Sequence, residues 1–210
     1  MVQKTMDYSK RDDSFSTSKY WENRYAKDNN TGVGNYGQIS EFKADILNEF
    51  VVKNNIGLVI EFGCGDGNQL TVARYLRYLG FDISKTALNI CRKRFTGDNS
   101  KEFRLVDTYN GEKAELVLSL DVIYHLIEDS IFDTYMKTIF EASEKYVIVY
   151  STNKAVEQRV KHIKHRRFTD WINTNIPELK LLQYIPNKYS AYMNNCSPDV
   201  PISDFYIFTK

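Results

Sequence analysis

The first residues with chemical promise in this sequence are acids standing in or just behind short apolar runs. Glu61 sits within Leu58–Phe62, Asp82 follows Tyr78–Phe81, and Asp107 follows Phe103–Val106. A carboxylate at the end of a strand takes hydrogen bonds from two hydroxyls at once or from an amino group, so the series reads as ligand binding. For Asp107 alone, a turn-initiating aspartate ahead of Thr108 and Tyr109 is the competing reading. Gly63, Gly65 and Gly67 follow the first run in the pattern VIEFGCGDGNQL. Glycines there let the chain turn sharply and bring its backbone against a small molecule. A second group, Asp121, Tyr124 and His125, follows the apolar run AELVLSL. His125 is the first choice for a general base because an imidazole titrates near neutral pH, and Asp121 is the second choice or the partner that orients or charges the base. A histidine that only orients a loop is the alternative. The third group lies in RVKHIKHRRFTDW, Arg159 to Trp171. There His165, Arg166 and Arg167 suit an anionic acceptor and His162 supplements catalysis, against the plainer reading of a solvated charged face. A zinc site through His162 and His165 lacks a third clear ligand, so no metal is expected.

These groups need elements to hold them. The chain has 210 residues, 42% hydrophobic and 26% charged, with a formal net charge of +1. That is enough for one domain with its own core, and it supplies no global field to draw nucleic acid or an anionic membrane. Cys64, Cys91 and Cys196 are odd in number and widely spaced, which fits buried thiols in a reducing compartment and a cytoplasmic location. No stretch has the length of a membrane span. Residues 1–15 are polar and expected to be disordered, and 16–210 form the domain. Within it, 16–56 hold N-terminal helices with Tyr20, Trp21, Arg24 and Tyr25 on one helical side, a glycine-rich loop through Tyr36 read as connector or lid, and a second helix over Ile39–Lys53. Residues 57–151 alternate strand and helix, including a helix over NQLTVARYL, and 152–210 end in two strands, KLLQYIPNKY and ISDFYIFT. The pattern predicts an α/β fold: a Rossmann-like, seven-stranded, mostly parallel sheet with helices on both faces and a C-terminal antiparallel hairpin. The ligand then sits at the carboxyl ends of the strands.

Two nucleotide-type ligands suit such a site. A dinucleotide fingerprint places a third glycine where Asn68 stands, which counts against an NAD-dependent oxidoreductase, kept here as the alternative. EFGCGDG, GFDIS and LVLSLDVIYHL resemble the motifs of class I S-adenosylmethionine-dependent methyltransferases over Val59 to Ser151. The resemblance implies S-adenosyl-L-methionine as donor and S-adenosyl-L-homocysteine as product. It places Glu61 near the methionine amino group, Gly63, Cys64 and Gly65 along the ligand, Asp82 on the ribose, Asp107 on the adenine, and Ile83 and Leu120 beside the cofactor. YWENRY and GVGNYG resemble the N-terminal region of a bacterial subgroup linked with surface-saccharide and capsule modification. By that likeness Trp21, Arg24, Tyr25 and Tyr36 close over the cofactor and Arg24 suits the methionine carboxylate; Tyr25, Tyr36, Tyr124, His165 and Arg166 are the candidate acceptor contacts. The resulting expectation is O-methylation of a small polar or anionic metabolite or saccharide precursor, a capsular phosphoramidate being one specific guess, by a monomer or homodimer. A non-catalytic cofactor-binding partner subunit is the second alternative. LDVIYH in place of an N-P-P-Y type sequence, with the near-neutral charge, argues against nucleic-acid acceptors.

Overall fold

The computed structural model describes residues 15–28, 37–156, 160–190 and 202–210. Tyr36, Arg159, Cys196 and the N-terminal residues 1–14 lie outside them. The helices are α1 (Thr17–Asp28), α2 (Gly37–Lys53), α3 (Lys85–Arg94), α4 (Asp129–Glu141) and α5 (Phe168–Asn175). The strands are β1 (Leu58–Phe62), β2 (Arg77–Asp82), β3 (Lys101–Leu105), β4 (Ala114–Leu120), β5 (Ser143–Ser151), β6 (Lys180–Ile185) and β7 (Asp204–Thr209).

One seven-stranded sheet runs in the order β3-β2-β1-β4-β5-β7-β6. The neighbours from β3 to β5 pair in parallel, and β7 pairs antiparallel with both β5 and β6. The expected antiparallel pair is present, with the last strand slotted inside rather than at the edge. Period-two alternation divides the apolar side chains between two faces. On one, Val59, Tyr78, Leu116, Leu118 and Ile148 pack with Phe42, Leu47 and Phe50 of α2 and Leu88 and Cys91 of α3. On the other, Ile60, Phe62, Phe81, Val117 and Val149 pack with Phe132, Met136 and Ile139 of α4 and Phe168 and Ile172 of α5.

The sheet reverses its order between β1 and β4, so the loops after these strands open a crevice at their carboxyl ends. One element is corrected. NQLTVARYL forms only a three-residue 3-10 turn, Gln69–Thr71, in place of the expected helix. The Thr71 hydroxyl donates to the Asn68 carbonyl at 2.7 Å, and Asn48 of α2 captures the backbone beyond it, donating to the Val72 carbonyl at 3.0 Å and accepting from the Arg74 N–H at 2.7 Å. Side chains thereby take the hydrogen bonds a helix would have used.

Candidate active site

β1 sends Val59 into one core and Ile60 and Phe62 into the other, so its alternation turns Glu61 toward the α2/α3 face just where the strand ends. The chain then leaves the sheet through Gly63 at φ +88°, where an added Cβ would collide with Val122. The N–H groups of Gly63 and Cys64 donate to the Phe81 carbonyl at 2.7 and 3.1 Å, tying the loop to β2. Asp82 completes this tie: its Oδ2 accepts from the Gly65 N–H at 2.9 Å and its Oδ1 from the Ser84 N–H at 2.8 Å. A carboxylate has roughly four acceptor positions, so Asp82 keeps capacity for a ligand's hydroxyls. Cys91 donates to the Gly65 carbonyl at 3.1 Å; it and Cys64 are buried free thiols.

The two acids are buried and their carboxyls rise well above the usual carboxylate range. Glu61 is pushed to about 7 by loss of solvent, opposed by the Tyr78 hydroxyl, which donates to its Oε2 at 2.6 Å, and by the charge of Lys43. Asp82 is pushed to about 6, again by burial first, against the hydrogen bonds from Ser84 and Gly65. Asp107 is exposed in the turn Val106–Thr108, Ile83 is exposed beside Asp82, and Leu120 is buried at the end of β4.

Helix α1 lies against α3 through Glu22. Its carboxylate accepts from the Ser84 and Thr86 hydroxyls, each at 2.6 Å, and Ser84 is also the cap of α3, accepting from the Ala87 N–H. The same helix presents Trp21 edge-on to His125 at 4.7 Å between ring centroids. The Arg24 guanidinium lies over Trp21 and donates to the Tyr20 hydroxyl at 3.1 Å, while its Nε is buried without a hydrogen-bond partner. Tyr25, expected at the acceptor, is buried, and burial first, then the charges of Asp82 and Asp66, raise its phenol well above the usual tyrosine range. Its place in the α1 helix turns it toward the glycine loop.

At the mouth after β4, Asp121 adopts φ +58° and its N–H donates to the Tyr150 carbonyl at 2.8 Å. Its carboxylate takes three donors: Lys43 Nζ at 3.1 Å, the Tyr124 hydroxyl at 3.0 Å and the Ser203 hydroxyl at 2.7 Å. None of these is His125, so Asp121 does not orient that ring through a hydrogen bond, although, against the burial that lowers the imidazole, its charge raises it. The partner of His125 Nδ1 is the main-chain carbonyl of His162 at 3.0 Å. Burial holds the His125 imidazole down to about 4. The rings of Tyr20, His162 and His125 form a near-parallel column with centroids 4.8 and 5.7 Å apart. His162 meets His125 through its carbonyl and its ring face.

The basic segment after β5 is largely committed to the fold. Arg166 donates to the Leu126 carbonyl at 2.6 Å, the Ile127 carbonyl at 3.0 Å and Asp129 at 2.7 Å, and lies 4.4 Å over the Phe132 ring. This corrects its assignment to the acceptor: the forked guanidinium matches two adjacent carbonyls and pins the His125-bearing loop to α4. Lys164 also binds Asp129, and Arg167 is exposed. His165 Nδ1 lies 2.9 Å from the Thr152 hydroxyl near Tyr124, and burial lowers its imidazole.

Four residues of this crevice escaped sequence reasoning: Lys43, Tyr78, Glu22 and Ser203. Lys43 carries no signal, since a lysine between Phe42 and Ala44 in a helix reads as solvent-facing, yet it is fully buried. Glu22 lay inside the YWENRY segment and was readable only as part of it. Among the described residues no group of three or more His, Cys, Asp or Glu is placed to hold a metal ion, and no helix is long and apolar enough to cross a membrane.

Residues 60–143 match the family described as a methyltransferase domain. No curated protein matches the chain. Among solved structures, it is similar to the N-methyltransferase NodS from Bradyrhizobium japonicum in complex with S-adenosyl-L-homocysteine, with TM-score 0.74 and 16% identity over 93% of this chain and 99% of that one. It is also similar to magnesium protoporphyrin IX methyltransferase from Synechocystis with the same product bound, with TM-score 0.67 and 14% identity over 92% and 97%. A third likeness is to an S-adenosylmethionine-dependent methyltransferase from Clostridium acetobutylicum, with TM-score 0.60 and 13% identity over 92% and 99%. The fold is the Rossmann-like fold of these methyltransferases.

Proposed function

We propose that this chain is an S-adenosylmethionine-dependent methyltransferase acting on a hydroxyl of a small polar acceptor, a metabolite or saccharide precursor. The observation that carries the reading is the pairing of charges in the crevice. Glu61 is a buried acid whose carboxyl burial raises to about 7, and Arg24 carries a buried Nε donor without an acceptor. An ammonium and a carboxylate on one carbon, the amino-acid end of the donor, complement both. Asp82 suits the ribose hydroxyls and Asp107 the adenine amino group. A dinucleotide has no amino-acid end, and the antiparallel β7 inside the sheet departs from the dinucleotide-binding order, so the oxidoreductase alternative loses on both counts. The family match over residues 60–143 and the donor product in two of the neighbours agree.

When bound, the donor supplies a methyl group made electrophilic by a sulfonium. The residues do the rest. Glu61, Arg24 and Asp82 fix the donor, and α1 with Trp21 shields it from water. A carbonyl oxygen only accepts, so His125 carries its proton on Nδ1 and presents Nε2 as a lone pair. With the donor held by Glu61, Arg24 and Asp82, His125 Nε2 would take the proton of the acceptor hydroxyl as the methyl is transferred. With Arg166 committed to the fold, the case for an anionic acceptor such as a phosphoramidate loses one of its groups. Calorimetry tests the donor: S-adenosyl-L-homocysteine binds and NAD does not, and the opposite preference overturns the reading.

A further inference from the structure

Helix α2 packs Phe42, Leu47 and Phe50 on the sheet, and Lys43 is buried among its residues although its side chain is charged. What it meets is Asp121, the residue that follows β4: Nζ lies 3.1 Å from Oδ2 and 5.3 Å from the centre of the Tyr150 ring of β5. Oδ1 of the same acid accepts from the Tyr124 hydroxyl at 3.0 Å and from the hydroxyl of Ser203, just ahead of β7, at 2.7 Å. Asp121 also sits at φ +58°, a left-handed conformation that costs a residue with a Cβ and that clusters at functional positions. A buried ion pair is often replaceable by apolar side chains without loss of stability, so packing does not account for this arrangement. Residues from four parts of the fold converge on one carboxylate.

The pair is sealed on one side and open on the other. Lys43 has no exposed side-chain surface, Tyr124 and Ser203 are buried, and Asp121 keeps 15% of its side chain exposed at the mouth after β4. A carboxylate has roughly four acceptor positions, and those of Asp121 are filled by Tyr124 and Ser203 on Oδ1 and by Lys43 on Oδ2, which leaves room for another donor. The charge of that donor follows from Lys43. The ammonium already balances the carboxylate, so a second cation gains little; an anion cannot reach the enclosed Nζ and meets the carboxylate instead. What fits is an uncharged hydroxyl.

We propose that Asp121 is a specificity-determining residue for the acceptor: it accepts a hydrogen bond from a second, uncharged hydroxyl of a polyhydroxylated, sugar-like compound, and Lys43 sets that preference by balancing its charge. The inference deepens the methyltransferase reading and rests on it for what happens at the first hydroxyl, the one that His125 meets.

The test titrates wild type, Lys43→Met and Asp121→Asn, with S-adenosyl-L-homocysteine present, against glucose, galactose and mannose, their 2-amino counterparts and their uronates, by ligand-observed NMR. Wild type is expected to bind at least one neutral sugar about tenfold or more tighter than its amino and uronate counterparts. Lys43→Met leaves the carboxylate unbalanced, so the amino sugar gains about tenfold on the neutral one. Asp121→Asn keeps an oxygen for Tyr124 and Ser203 but leaves the ammonium unbalanced, so the uronate gains about tenfold instead. An unchanged order of the three classes in either folded variant leaves the pair a packing feature and overturns the proposal. A wild type that prefers a charged class, or binds none of these sugars, does the same. If Lys43→Met does not fold, Asp121→Asn decides by whether the uronate gains, and the wild-type order is a test by itself. A wild type with the stated order that binds no S-adenosyl-L-homocysteine in calorimetry upholds the hydroxyl site and defeats the methyltransferase reading; binding of that product with no preference for neutral sugars does the reverse.

Discussion

The Nδ1 of His125 lies 3.0 Å from the main-chain carbonyl oxygen of His162, and this contact fixes which nitrogen carries the proton. The ring donates through Nδ1 and leaves Nε2 as the acceptor nitrogen. Nitrogen NMR of labelled imidazoles is expected to show this tautomer, with a titration midpoint near 4 in place of the ordinary value of 6.5. His125→Ala is expected to keep S-adenosyl-L-homocysteine affinity within about twofold while lowering turnover on hydroxyl acceptors by about 100-fold. Unchanged turnover would remove His125 from the chemistry.

Glu61 trades stability for binding, and the pH dependence has a definite sign. Its folded-state carboxyl lies at about 7, above the ordinary 4.5. Folding therefore favours the protonated acid; that contribution is present below about pH 4.5 and is lost as pH rises through 7. Glu61→Gln is neutral and still accepts from Tyr78. It is expected to be more stable than wild type by about 1–3 kcal/mol at pH 8, with the difference vanishing near pH 4.5, as read by urea unfolding. Donor affinity in the same variant should fall about 30-fold or more.

Glu22 is the clasp between α1 and the first turn of α3. Glu22→Ala is expected to lower hydrogen-exchange protection of α1 about tenfold while β1, β4 and β5 keep theirs. Donor affinity should weaken with it, since Trp21 and Arg24 ride on the same helix. Unchanged exchange in α1 would show that the aromatic contacts alone hold it.

Arg166 stabilises the loop under His125. Arg166→Ala is expected to cost about 2 kcal/mol or more in urea unfolding, because the Leu126 and Ile127 carbonyls lose their donors and Phe132 its cover. Arg166→Lys is not expected to rescue, since one ammonium does not reproduce the fork. Donor affinity should stay within about twofold; a loss of acceptor affinity with stability intact would return Arg166 to the acceptor site.

Much of the architecture was readable because the signals were local. Alternating apolar runs delimited the strands, AELVLSL matching β4 residue for residue, and the acid and glycines behind β1 marked the crevice. The NQLTVARYL error was of another kind: its helical pattern was real, and Asn48, from a distant helix, outbid it. Charges misled in both directions. Lys43 gave no signal and is buried, while Arg166 looked available and donates to two carbonyls. Which ionic groups are free depends on tertiary partners far away in sequence, and no spacing rule reports that. The edge-on contact of Trp21 with His125 joins residues far apart in the sequence and was legible only as two separate aromatic positions.

A crystal structure with S-adenosyl-L-homocysteine bound tests the donor site most directly. The expected result is the amino group on Glu61, the carboxylate on Arg24 Nε, the ribose hydroxyls on Asp82, and the sulfur facing the mouth formed by Tyr124 and His125. A ligand seated away from Glu61 and Arg24, or a crevice that takes NAD and leaves S-adenosyl-L-homocysteine in solution, would contradict it.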